Sequence, residues 1–191
     1  MTSQINGLNQ AVRNANDAIS MIQVAEGAMG EVTNMFQRMR ELAVQAISDS
    51  NTSADRAALD NEYKQLSFEV SRIAENTQWN GTNILDGART ATVFQVGANA
   101  SQTITVAFGE FETDQTTGVF AGAINSSAMG VANAASAAAA MAVIDTAIAG
   151  VDSQRAGFGS SLNRLNMAIA NNAEFLAPAF PIAKVATGTP A

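Results

Sequence analysis

Apolar side chains return at steps of three and four through residues 3–50, and no other feature limits the fold as tightly. Ile5, Leu8, Val12, Ala15, Ile19 and Ile22 line one face of a helix at the seam spacing of a coiled coil. The strict phase then puts Glu26 on the seam. The stripe resumes one position earlier, through Ala25, Met29, Val32, Met35 or Phe36, Met39, Leu42 and Ala46, which predicts a local change of supercoil. Gly27 and Gly30 fall in the same stretch; each costs about 1 kcal/mol against Ala, which predicts that a neighbour approaches closely there.

A helix over this span would be roughly 70 Å long at about 1.5 Å per residue, so the chain folds as a rod and not a ball. Composition agrees: 47% of residues are apolar but only 6% are aromatic, and much of the remainder is Ala. Ala lets helix axes approach while burying little area per residue.

Asp49-Ser50-Asn51-Thr52-Ser53 is a run of turn and cap formers that ends the first helix. Thr52 or Ser53 caps a second, with Asp55 in its first turn favouring the amide dipole. Leu59, Tyr63, Leu66, Val70 and Ile73 then form a second seam. Trp79-Asn80-Gly81 and Ile84-Leu85-Asp86-Gly87 are turn signals. Two β-rich runs, 92–96 and 103–108, flank Gly97-Ala98-Asn99-Ala100 and read as a hairpin. Residues 110–127 show no sustained period. A third seam runs through Met141, Ile144, Ile148, Val151, Arg155, Phe158, Leu162, Leu165 and Ile169, broken only by Arg155. A cation on a seam either marks a wet end of the bundle or pairs with an acid on a facing helix, and Glu26, a similar interruption of the first seam, is the acid it would pair with.

The fold class predicted is mainly α, an elongated antiparallel helical bundle or coiled-coil rod with a small β-hairpin subregion. As one domain it divides into two N-terminal helices (1–78), a turn, hairpin and irregular connection (79–126), a C-terminal helix (127–172) and a tail (173–191). That tail loses the period and holds Pro178, Pro181 and Pro190, which exclude a continued regular helix.

Charge and composition exclude several functions. With 17 acids against 10 bases the net charge is -7, and the bases are interleaved with acids, so nucleic acid is not expected as a partner. The chain has no Cys and no His, which removes thiol nucleophiles, the usual transition-metal ligands and the ordinary general base. Glu110, Glu112 and Asp114 alternate as calcium ligands sometimes do, but the Gly that such a loop needs does not follow. Ser residues lack a His to activate them, and Asp17, Asp145 and Asp152 show no acid–base spacing. No catalytic residue, cofactor or metal is expected. The start, Met1-Thr2-Ser3-Gln4-Ile5-Asn6, has no basic segment leading into an apolar one, so no secretory signal peptide is expected. The least polar window, 131–150, still holds Asn133, Ser136 and Asp145, and reads as a packed helix and not a membrane span. Met21, Met29, Met35, Met39 and Met141 read as core filler. Trp79 reads as an anchor of its turn or as a platform for a sugar ring.

On the outer side of the first helix, Gln37, Arg38, Glu41 and Gln45 face away from the apolar stripe and form a polar surface. Phe36-Gln37-Arg38-Met39-Arg40-Glu41-Leu42-Ala43-Val44-Gln45-Ala46, reached through Arg13-Asn14-Ala15-Asn16-Asp17-Ala18-Ile19-Ser20, resembles the amino-terminal core helix of bacterial flagellin. Gln78-Trp79-Asn80-Gly81 and Ile84-Leu85-Asp86-Gly87 resemble the family's turn after its second helix, where the aromatic is more often Phe. Phe94-Gln95-Val96-Gly97-Ala98-Asn99-Ala100 resembles its hairpin entry. Ile144-Asp145, Arg155-Ala156-Gly157-Phe158-Gly159 and Asn163-Arg164-Leu165-Asn166 are similar to its returning core helix. The resemblance covers residues 3–172 in the family's order.

The resemblance implies a structural subunit of the bacterial flagellar filament, extracellular, exported without a cleaved signal peptide and serving motility, whose partners are other flagellin subunits. It further implies recognition by Toll-like receptor 5 through Gln37, Arg38, Glu41 and Leu42 on the first helix and Glu62 on the second, although Phe36 stands where Leu is commoner. The family's extreme terminal segments have no match in this sequence, and residues 173–191 match nothing in the family and read as appended sequence. On that reading the chain is a truncated rod core, monomeric and unable to polymerise alone. The alternative is a cell-surface binding protein that takes a surface glycan or a host innate receptor through its hairpin side and the Arg38 face.

Overall fold

The computed structural model describes residues 2–87, 89, 91–109, 111 and 130–176. The first apolar stripe lies along a single helix, α1 (Thr2–Ile47), whose buried line runs Ala11, Ala15, Ala18, Met21, Ile22, Ala25, Met29, Val32, Phe36, Met39, Leu42, Ala43 and Ala46. The phase change expected at Glu26 is present: Ala25 is fully buried while Glu26 is half-exposed. Phe36, and not Met35, takes the inward position. The expectation at Gly27 and Gly30 fails, because nothing lies within 4 Å of where a Cβ would stand at either, nor at Gly157 and Gly159 of the last helix.

α1 stops because its last carbonyls find other donors. The Arg56 guanidinium donates to the carbonyls of Ala46 and Ser48, each at 2.9 Å, and Asn51 Nδ2 donates to Gln45 O at 2.6 Å. A cation at a helix C-terminus also suits the dipole. Thr52 then caps α2 (Ser53–Asn76) through a reciprocal box: Asp55 N donates to Thr52 Oγ1 at 3.2 Å, and Thr52 N donates to Asp55 Oδ2 at 2.9 Å. α2 buries Asp60, Tyr63, Ser67, Val70 and Ala74, with Leu59, Leu66 and Ile73 half-buried beside them.

Two small antiparallel hairpins follow. β1 (Gln78–Trp79) and β2 (Thr82–Asn83) are joined by Asn80-Gly81, with φ of 52° and 75°, the pair of positive angles that a two-residue type I′ loop demands. β3 (Thr92–Gln95) pairs with β4 (Thr103–Val106) from Thr92↔Val106 to Gln95↔Thr103. Ile104 and Val106 point inward in alternation. At the loop, Gly97 leaves no room for a side chain, since a Cβ there would lie 2.2 Å from Gln102 Oε1.

α3 (Ala134–Leu176) returns antiparallel to α1, which it accompanies along the rod. It begins later than its Ala-rich composition suggests, because Asn133 caps it: Asn133 Oδ1 accepts Ser136 N at 2.8 Å. It also runs past residue 172, to Leu176. α3 is long and apolar enough, by length and composition, to cross a membrane. Its buried positions, Ala137, Ala140, Ile144, Ala147 and Val151, nevertheless step by three and four and pack into the common core with α1.

Arg155 is exposed and makes no ion pair with Glu26, contrary to expectation. Gln154 and Phe158, four residues apart on one face, turn toward the segment after β4: Gln154 Nε2 donates to Ala107 O at 2.5 Å, and Phe158 meets Phe108 with ring centroids 5.5 Å apart. Arg155 is thereby carried about 100° round the helix into solvent.

Cover over the α1–α3 pair changes hands along its length. α2 packs beside the half of α1 that holds Arg38, and the hairpin of β3 and β4 packs over the other half. Amide side chains fix that hairpin by its backbone carbonyls: Asn14 Nδ2 donates to Gln95 O at 3.1 Å and Asn172 Nδ2 to Val96 O at 2.8 Å.

Candidate functional site

The polar outer face of α1 is built around Arg38. Its Nε donates to Glu62 Oε1 of α2 at 2.9 Å, and its NH1 donates to Glu41 Oε2 at 3.0 Å, one turn along its own helix. The arrangement follows from spacing within α1 and from packing between helices: Glu41 is three residues on, and α2 must lie antiparallel to bring Glu62 alongside. Both carboxylates raise the Arg38 pKa, Glu62 more than Glu41, so the guanidinium is held charged. All three side chains are open to solvent, with exposures of 50% for Arg38, 69% for Glu41 and 45% for Glu62. Exposed pairs of this kind add little to stability and are screened by salt, so their effect is to fix where the Arg38 head points.

Gln37 is exposed beside this cluster. Leu42 is not: it is fully buried in the core with Met39 and Ala43. The structure therefore brings Arg38, Glu41 and Glu62 together, leaves Gln37 next to them and withdraws Leu42 to the interior, where it supports the face from beneath. One arginine against two glutamates leaves the triad net negative, so a partner surface would have to present donors.

Arg40 is the residue that sequence reasoning passed over. Two positions from Arg38 it points to the other flank of α1, where its Nε donates to Asp145 Oδ1 of α3 at 2.7 Å. Asp145 raises the Arg40 pKa through that hydrogen bond and its charge. Arg38 thus bridges α1 to α2 while Arg40 bridges it to α3. No spacing rule connects positions 40 and 145; only an assembled bundle does.

The flank of α1 opposite the arginines carries the apolar core. Glu110, Glu112 and Asp114 fall outside the described residues, as do the connection at 112–129 and the tail from 177. Among the described residues no group of three or more potential metal ligands is gathered.

Comparison with known proteins bears on the family. The profile of the bacterial flagellin N-terminal helical region matches residues 1–90. The crystal structure of Bacillus cereus flagellin superposes with a TM-score of 0.71 at 32% identity, covering 88% of this chain and 95% of that one. The chain belongs to the flagellin family. A flagellin of Halalkalibacterium halodurans is 40% identical over 173 residues, 90% of this chain and 61% of the relative. Flagellin B of Vibrio cholerae is 45% identical over 114 residues, which is 60% of this chain. The chain spans only 30% of that Vibrio flagellin's length. The rod of two long helices, with a second helix and a hairpin as cover, is thus the fold that the sequence resemblance implied.

Proposed function

We propose that this flagellin chain is a structural subunit of the bacterial flagellar filament, acting outside the cell in motility. The observation that carries the reading is the match along nearly the whole Bacillus cereus flagellin structure, joined to a rod whose long axis is set by the α1–α3 pair. A protein of this shape works by stacking beside copies of itself, because it offers long helical faces along α1 and α3. A chimera tests it. Residues 3–172 would replace the corresponding segment of a flagellin in a strain that lacks its own, and filaments would be sought by electron microscopy. Filaments are the expected result; an exported, helical chimera that forms none overturns the reading.

A second reading attaches to the Arg38 cluster, which is recognition by Toll-like receptor 5 through Gln37, Arg38, Glu41 and Glu62. Its support is that Arg38 is already held in place by two carboxylates, so less conformational freedom is lost when a partner docks. In a titration of receptor ectodomain, Arg38→Ala is expected to weaken binding by about tenfold or more. Unchanged affinity removes Arg38 from the contact.

A further inference from the structure

We propose that the cavity between α1, the β1–β2 turn and β3 is a site for a neutral saccharide ring. The cavity measures about 460 Å³, within the range that small-molecule sites occupy. Asp17 of α1 and Arg89 both line it, and neither forms an ion pair with the other or with any other described residue. Trp79 is half-buried at the same wall, and neither its indole N–H nor the Asn80 amide has a hydrogen-bond partner among the described residues. Buried Met21 and half-buried Phe94 complete an apolar side.

The mixture of groups selects the ligand. A purely apolar molecule would press hydrocarbon against Asp17 and Arg89 and strip both of water, which is costly for unpaired charges. A simple anion meets Asp17, and a simple cation meets Arg89. A pyranose has C–H surface for the indole and Phe94, and a rim of hydroxyls that donate to the Asp17 carboxylate and accept from Arg89, the Trp79 N–H and the Asn80 amide. The overall charge of -7 favours a neutral sugar over an acidic one.

Trp79 is the one tryptophan in the chain, so its emission reports this cavity directly. Methyl α-glucoside, methyl β-galactoside, methyl α-mannoside and N-acetylglucosamine would each be titrated to ~50 mM, with free glycine as a zwitterionic probe. At least one sugar is expected to shift the emission saturably at millimolar concentration, and Asp17→Asn and Arg89→Met are each expected to weaken that response about tenfold. Both side chains are exposed, so the variants keep their helical circular dichroism, which is checked alongside. Silence from all four sugars, a response to glycine alone, or a sugar response that neither substitution changes overturns the proposal.

Discussion

Asp60 Oδ1 accepts the backbone N–H of Val131 at 2.7 Å, joining the first half of α2 to the segment that leads into α3 across 71 positions of chain. Asp60 is buried, its Oδ2 lies 2.7 Å from Lys64 Nζ, and Gly130 packs so close that a Cβ there would stand 2.2 Å from Oδ1. Asp60→Ala orphans a buried N–H and should cost about 2–3 kcal/mol in urea unfolding followed by circular dichroism. Gly130→Ala should be destabilising through the same contact, by about 1–3 kcal/mol. Loss from neither variant would mean that this end of α3 is held by something else.

Burial, and secondarily the charge of Asp60, pushes the Tyr63 phenol up from 10.0 to about 12. The folded state therefore favours the protonated phenol. The stability it brings is complete below pH 10.0, its ordinary value, and is lost as pH rises through about 12. Tyr63 is the single tyrosine, so absorbance at the phenolate band reads it alone. Titration is expected near the higher value and together with unfolding; a transition at the ordinary value with the helices intact would contradict its burial.

The Thr52–Asp55 box makes the opposite prediction. The Thr52 backbone N–H, and then its hydroxyl, hold the Asp55 carboxyl below its ordinary pKa. A depressed folded value means stability present above the ordinary carboxylate range and lost as pH falls through the folded pKa. Proton exchange at the first amides of α2 should accelerate on acidification in that window. Thr52→Ala should return the Asp55 titration, followed by NMR, toward ordinary values and cost about 1 kcal/mol.

Asn172→Ala removes a buried amide donor from Val96 O and should loosen the hairpin more than the rod. The expected signature is faster hydrogen exchange at Thr103–Val106, with a global loss of about 1–2 kcal/mol. Equal acceleration along all of α3 would show that the amide supports the helix instead.

The periodic parts of this molecule were legible in advance. Met29, Val32, Phe36, Met39 and Leu42 are inside because burial obeys helical spacing, and Asn80-Gly81 turns because few other pairs accept two positive φ angles. Arg38 and Glu41 could be placed on one face for the same reason. What spacing does not encode is which polar group meets which carbonyl from another element. Asn14, Asp60, Gln154 and Asn172 each look like ordinary polar residues in a helix, and each is a long-range anchor. Arg155 failed for the related reason that a neighbour's docking, here Phe108 on Phe158, decides how a helix is rotated locally.

With Arg40 opposite Asp145, the antiparallel register sets Gly27 and Gly30 about level with Gly157 and Gly159, near where α2 gives way to the hairpin. Each glycine weakens its helix by about 1 kcal/mol relative to Ala, and none is braced by a contact where its side chain would be. Alanine at any of the four should therefore strengthen its helix without meeting a neighbour.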